Sequence, residues 1–203
     1  MKKHNLTTLL LLALISFSCN GQAKKDTKSS PSSTTSASVV GKRIDGDFDG
    51  DKIIESAFCN KIKDESGNPM EDGESAEYEV KFSSDKLKSL NVGCCEFILV
   101  NEGDLNGDGK DEFSIFQNSM NGCAIEVRVL TYSKNKWKDL IEPFLISLGC
   151  GVKITNSEYQ KWIVSENKTI YYLEPDINDE NLLNEDGTRI NFERLTKTKA
   201  QQK

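Results

Sequence analysis

The stretch Asp104-Leu105-Asn106-Gly107-Asp108-Gly109-Lys110-Asp111-Glu112 lies between two apolar runs, Phe97-Ile98-Leu99-Val100 and Phe113-Ser114-Ile115-Phe116. Both flanks are short and rich in branched and aromatic residues, which suits strands rather than helices. Between them, Asp104, Asn106 and Asp108 place side-chain oxygens at positions 1, 3 and 5. The Lys110 backbone carbonyl falls at position 7, and Glu112 at position 9, reaching an ion directly or through water. Calcium takes about 6–8 oxygens at roughly 2.3–2.6 Å, and this spacing plus water meets that need. Gly107 and Gly109 allow the tight path, because glycine accepts positive φ. Carboxylates this close repel one another unless a cation neutralises them. An EF-hand needs a bidentate Glu at position 12, where Ile115 stands. The stretch therefore reads as a strand–loop–strand calcium clip. The plain alternative is an acidic turn without metal, since Asp, Asn and Gly are ordinary turn residues.

A looser copy, Asp47-Phe48-Asp49-Gly50-Asp51-Lys52-Ile53-Ile54-Glu55, lies upstream. Asp47, Asp49 and Asp51 take positions 1, 3 and 5, the Ile53 carbonyl position 7 and Glu55 position 9. Lys52 occupies position 6, where positive φ would strain a residue other than glycine. A register starting at Asp45 puts Gly50 at position 6 but Ile53 at position 9. The first register is preferred because it keeps Glu55 and the spacing to the next apolar strand.

The run Gly103–Phe113, with its acidic pair Asp111-Glu112 before an apolar strand, resembles the FG-GAP/VCBS type of calcium-binding repeat, best known from integrin-like β-propellers. The resemblance covers two short patches of the chain. It implies Ca2+ as the bound ion and blade-like hairpins around it. A closed propeller needs several four-stranded blades. Strand candidates here are Ile53–Cys59, Glu77–Phe82, Glu96–Asn101, Phe113–Gln117, Ile125–Tyr132, Trp137–Ile141, Trp162–Ser165, Thr169–Leu173 and Arg189–Arg194. They make roughly two blades, too few to close a ring. Ser84–Leu90 is a short helix or a connecting loop. The expected class is all-β with minor helix at most: two packed antiparallel sheets, or an open pair of blade-like sheets, with calcium loops at hairpin ends.

Residues 1–18 read as an export signal, with Lys2 and Lys3 ahead of an apolar stretch from Leu6 to Phe17 that is short for a retained membrane span. Ser16-Phe17-Ser18-Cys19 resembles a bacterial lipoprotein cleavage box, although Ser16 replaces the usual Leu and Phe17 is bulky. That resemblance implies a lipoprotein cleaved before Cys19 and acylated there. Residues 19–40 then form a Ser/Thr-rich tether that cannot bury apolar area. The β domain is expected over 41–196, with 197–203 a polar tail. No acidic run follows Cys19, which favours the periplasmic face of the outer membrane over the cell surface.

The 26 basic residues less Lys2 and Lys3 leave 24 against 32 acidic ones, a mature charge of −8. That argues against nucleic acid, which usually needs a basic face. With Cys19 lipidated, Cys59, Cys94, Cys95, Cys123 and Cys150 remain. An exported chain can form disulfides, and five thiols leave one over. The expected bridges are Cys123–Cys150 and Cys59 to Cys94 or Cys95, because a bond between the adjacent pair would strain the intervening peptide. No Cys-x-x-Cys is present to suggest zinc or redox chemistry.

The single histidine, His4, lies in the leader, so triads built on histidine are absent from the mature chain. No phosphate loop or dinucleotide fingerprint appears. Trp137, Trp162, Tyr171 and Tyr172 suit core and hairpin packing better than a sugar platform. The expectation is a non-enzymatic, lipid-anchored, calcium-binding domain with a structural or binding role in the cell envelope. Its partners would be the membrane, through the anchor, and an envelope protein or glycan. The alternative is a glycan-acting envelope hydrolase using carboxylates as acid and base.

Overall fold

The strands, in chain order, are β1 (Val40–Gly41), β2 (Arg43–Gly46), β3 (Glu55–Lys63), β4 (Glu77–Phe82) and β5 (Leu90–Cys94). They continue with β6 (Phe97–Gly103), β7 (Glu112–Asn118), β8 (Ala124–Ser133), β9 (Lys136–Asp139) and β10 (Phe144–Ser147). The last are β11 (Ile163–Glu166), β12 (Thr169–Glu174) and β13 (Thr196–Lys199). They come from a computed structural model that describes residues 38–69, 71–120 and 123–203. The leader, Cys19 and most of the tether lie outside the described residues. The described residues belong to one compact unit. Among the described residues, no helix is long and apolar enough to cross a membrane.

Strand β7 explains the layering. Its residues Phe113 and Ile115 point one way, while Ser114 and Phe116 point the other, and all four are buried. A strand buried on both faces must lie between two layers. It sits in a six-stranded antiparallel sheet ordered β1-β6-β7-β8-β10, with β9 also pairing β8. The long β8 serves both: Ala124–Val127 pair β10, and Leu130–Ser133 pair β9. On one face, Phe97, Leu99, Phe113, Ile115, Leu130 and Tyr132 pack with Ile44, Phe48, Val80 and Phe82 of the four-stranded sheet β2-β3-β4-β5 and its loop. On the other face, Val100, Phe116, Val127 and Val129 pack with Trp162, Ile163 and Ile170, on or beside the three-stranded sheet β11-β12-β13.

The class is all-β and antiparallel, as expected, and among the described residues no sheet closes into a barrel or propeller. The described residues form three sheets rather than two, because the middle sheet is apolar on both sides. The tail 197–203 is part of the fold: Lys197–Lys199 lie in β13, Ala200 N donates to Ile170 O at 2.9 Å, and Lys203 N donates to Leu140 O at 3.1 Å. Arg189–Arg194 is not a strand but an isolated bridge at Ile190 followed by a 3-10 turn over Phe192–Arg194. Ser84–Leu90 forms turns leading into β5 rather than a helix. Among the described residues, α-helix is limited to α1, the single turn Asn156–Tyr159. The aromatic side chains pack: Trp162 is fully buried, Trp137 stacks on Phe82, and Tyr172 stacks on Phe144.

A disulfide joins Cys123, just before β8, to Cys150, beyond β10. Cys59 makes no bridge to Cys94 or Cys95. Strand β4 lies between them, with Cys59 opposite Val80 and Cys94 opposite Glu77. Two strand spacings, on the order of 9–10 Å, separate β3 from β5, beyond the roughly 4 Å between β-carbons that a disulfide requires.

Candidate metal centre

Both acidic loops connect antiparallel strands. The loop 47–55 joins β2 to β3, and 104–112 joins β6 to β7. The residue before each loop pairs with its ninth position, Gly46 with Glu55 and Gly103 with Glu112.

Inside the loops the same hydrogen bonds recur position by position. The first carboxylate accepts from the fourth and sixth backbone N–H groups. Asp47 takes Gly50 N at 2.8 Å and Lys52 N at 3.0 Å; Asp104 takes Gly107 N at 2.7 Å and Gly109 N at 2.9 Å. The third side chain accepts from the fifth N–H: Asp51 N to Asp49 at 3.1 Å, and Asp108 N to Asn106 at 2.8 Å. The fifth accepts from the seventh: Ile53 N to Asp51 at 2.9 Å, and Lys110 N to Asp108 at 3.1 Å. The ninth reaches back to the second: Phe48 N to Glu55 at 3.0 Å, and Leu105 N to Glu112 at 2.9 Å. Position 6 is left-handed in both, with Gly109 at φ 87° and Lys52 at φ 67°. For a lysine that conformation costs about 1–2 kcal/mol, held here by the bond from its N–H to Asp47.

The second position anchors each loop. Phe48 is fully buried in the core between the four-stranded and middle sheets, and Leu105 is buried in the core on the opposite face. The loops are also tied to each other. Asp47 N donates to Asp111 Oδ2 at 2.9 Å, Asp111 N to Asp47 O at 2.8 Å, and Asn101 Nδ2 to Asp45 O at 2.7 Å. Gly46 fits under this junction because a β-carbon there would lie 2.6 Å from Asn101 Nδ2.

The charge environments differ. Asp47, Asp49 and Glu55 bring one carboxylate oxygen each to within 4.8 Å of one another. Burial pushes the Glu55 carboxyl above its ordinary value, and the charges of Asp49, Asp51 and Asp47 push it the same way. Asp51 is turned toward Lys86, whose ammonium holds the carboxyl below its usual range. In the downstream loop, Asn106 Nδ2 donates to Glu112 Oε1 at 2.8 Å, and Lys110 Nζ pairs with Asp108 at 2.8 Å. Glu112 is fully buried, and that burial raises its carboxyl to about 7.

The carboxylates thus converge in 47–55, although 104–112 carries the more complete sequence pattern. The cause is position 3. Asn106 supplies an amide that satisfies Glu112 without a cation, whereas Asp49 adds a third negative group. The donor set at Asp47, Asp49 and Glu55, with the Ile53 carbonyl at position 7, is all oxygen and suits a hard cation. At 104–112 the same positions are Asp104, Asn106, Lys110 and Glu112, with Asp108 at position 5, and an ion there must displace the Lys110 ammonium from Asp108.

Sequence reasoning did not single out Asn101, Lys86 or Glu102. Glu102 follows Ile98 and Val100 at every second residue, which places it on the inward face of β6. It is half-buried overall, but its Oε1 is sealed from solvent without a hydrogen-bond partner, as are Ser114 Oγ, Thr131 Oγ1 and Trp162 Nε1. Burial pushes the Glu102 carboxyl up to about 8. No protein-family model matches the chain, and no match was found among curated proteins or solved structures.

Proposed function

We propose that this chain is an exported, lipid-anchored β domain that binds calcium and serves a structural or binding role in the bacterial cell envelope. The observation that carries the calcium reading is the convergence of Asp47, Asp49 and Glu55 on one point. The hydrogen bonds shared with 104–112 support it, because they fold both loops back on their own side-chain oxygens position by position. In this reading calcium supplies the positive charge that the converging carboxylates of 47–55 lack, and at 104–112 it takes the place of the Lys110 ammonium. It pins two hairpins that belong to different sheets and meet at Asp47 and Asp111. The similarity to FG-GAP/VCBS repeats rests on these same residues.

Melting the purified chain in calcium and in chelator tests this role. A ligand at about 100 times its Kd adds roughly 2.7 kcal/mol of stability, or on the order of 5–10 °C in a domain of this size. An unchanged midpoint would remove calcium from the account.

The anchor rests on the leader and on Cys19. Several acyl chains hold a protein at a membrane far better than one, so Cys19→Ser should move the chain from the membrane fraction to the soluble one. Equal membrane retention of the variant would mean that something other than Cys19 holds the chain, and a soluble wild type would argue for an ordinary secretory leader. The hydrolase alternative gains no specific support. Glu112 is buried and Glu102 half-buried in the middle sheet, and the large cavity beside 47–55 is lined by neither.

A further inference from the structure

The odd number of cysteines finds a resolution at the end of β5. Cys94 and Cys95 are adjacent in sequence, and their sulfurs lie 2.7 Å apart, too close for two thiols that merely touch. The backbone is already bent to bring them together. Gly93 sits at φ 88° and Cys95 at φ 80°, a conformation uncommon for a residue with a side chain and a pointer to a local constraint. The two carbonyls are held on one side, since Gln117 Nε2 donates to both Cys94 O and Cys95 O. Cys95 also lines a cavity of about 310 Å³ with Tyr78, Pro69 and Met120. Cys59 lies on β3, with β4 between it and this pair.

We propose that Cys94 and Cys95 form a vicinal disulfide, leaving Cys59 as the single free thiol of the folded domain. The environment that oxidises Cys123 and Cys150 is the one this bond requires. The oxidant is a disulfide carrier, and the reaction is thiol–disulfide exchange. One sulfur of the pair, as thiolate, attacks the carrier's disulfide and expels the carrier's other sulfur as a thiolate. The neighbouring sulfur gives up its proton and attacks the mixed disulfide. The Cys94–Cys95 bond forms, the carrier's bond breaks, and the carrier leaves as a dithiol holding the two electrons and two protons. Strain in such a bond makes it easier to reduce, so the pair is a reversible site beside a stable structural bridge.

The test is to treat the full-length chain with excess glutathione disulfide, quench it in acid, denature it in the presence of a maleimide and map its peptides by mass. The peptide spanning Cys94 and Cys95 should be two hydrogens lighter than its dithiol form and carry no maleimide. After reduction it should take up two, while Cys59 carries one maleimide or one glutathione before reduction. Cys59→Ser should leave the Cys94–Cys95 result unchanged. Maleimide or glutathione on Cys94 or Cys95 in the unreduced chain, or a link from either to another cysteine, would overturn the proposal.

Discussion

Phe113→Ala should lower the unfolding free energy by about 3–5 kcal/mol, the usual cost of removing a large buried aromatic side chain. The residue directly follows Glu112, and its fully buried ring is shared by three elements. It meets Phe48 of the upstream loop edge-on at 5.6 Å, Phe82 of β4 at 6.0 Å and Trp137 of β9 at 5.0 Å between ring centres. Such aromatic pairs contribute about 0.5–1.5 kcal/mol each beyond the area they bury. The cavity would open where the four-stranded and middle sheets are held together, beneath position 2 of loop 47–55. Urea transitions check this: the midpoint should fall while the slope stays constant. A loss below about 1 kcal/mol would mean that the site collapses around the gap and that the ring cluster is not what joins the sheets.

The second large effect depends on pH. The Glu102 carboxyl is held at about 8, against an ordinary 4.5, because burial penalises its charged form. Between those values the folded chain keeps a proton that the unfolded chain releases. Stability from this group is therefore fully present below about pH 4.5 and is lost as the pH climbs through 8. Each pH unit between the two values corresponds to roughly 1.4 kcal/mol, so the fall is a few kcal/mol, reduced by the part of the side chain that solvent reaches. Glu102→Gln removes the titration and keeps the shape. Its amide brings new donors, and an unsatisfied one costs about 1–3 kcal/mol at every pH. The informative readout is thus the slope of stability against pH, measured in chelator. Glu112, raised in the same direction, contributes equally to both chains. The wild type should lose stability more steeply than Glu102→Gln from pH 5 to 8.5; parallel curves would show that Glu102 ionises freely in the folded state.

Much of the fold is legible in the sequence where side chains declare a face. Glu77–Phe82 alternates and forms β4 over those same residues. The flanks of 104–112 are branched and aromatic and form β6 and β7. Strand β13 is not legible, because Thr196-Lys197-Thr198-Lys199 has no apolar residue and owes its place to pairing with β12. Strand β5 ends in Val92-Gly93-Cys94, where the glycine reads as a break rather than a strand. The third sheet escapes notice for another reason. Apolar residues at both phases of β7 signal burial on two faces but do not say which segments cover them.

In the candidate centre, the alternating oxygens and their register are visible from residue types alone. The difference between the loops is not. It depends on Asn106 donating to Glu112 in one loop and on three carboxylates meeting in the other, and these are relations across space. Lys86 is likewise far from Asp51 in sequence and reaches it only through the turn before β5.

The central claim is that calcium completes these loops, and a calorimetric titration of calcium into the metal-stripped chain tests it most directly. The account predicts saturable binding, with Kd on the order of 10⁻⁴–10⁻³ M or tighter, the range of extracellular calcium modules. Glu55→Gln should abolish the component at 47–55, because it removes one of three converging charges while keeping an oxygen to accept from Phe48 N. A folded chain that shows no saturable calcium binding up to millimolar concentration, or one whose binding is unaffected by Glu55→Gln and Asp49→Asn, would contradict the account.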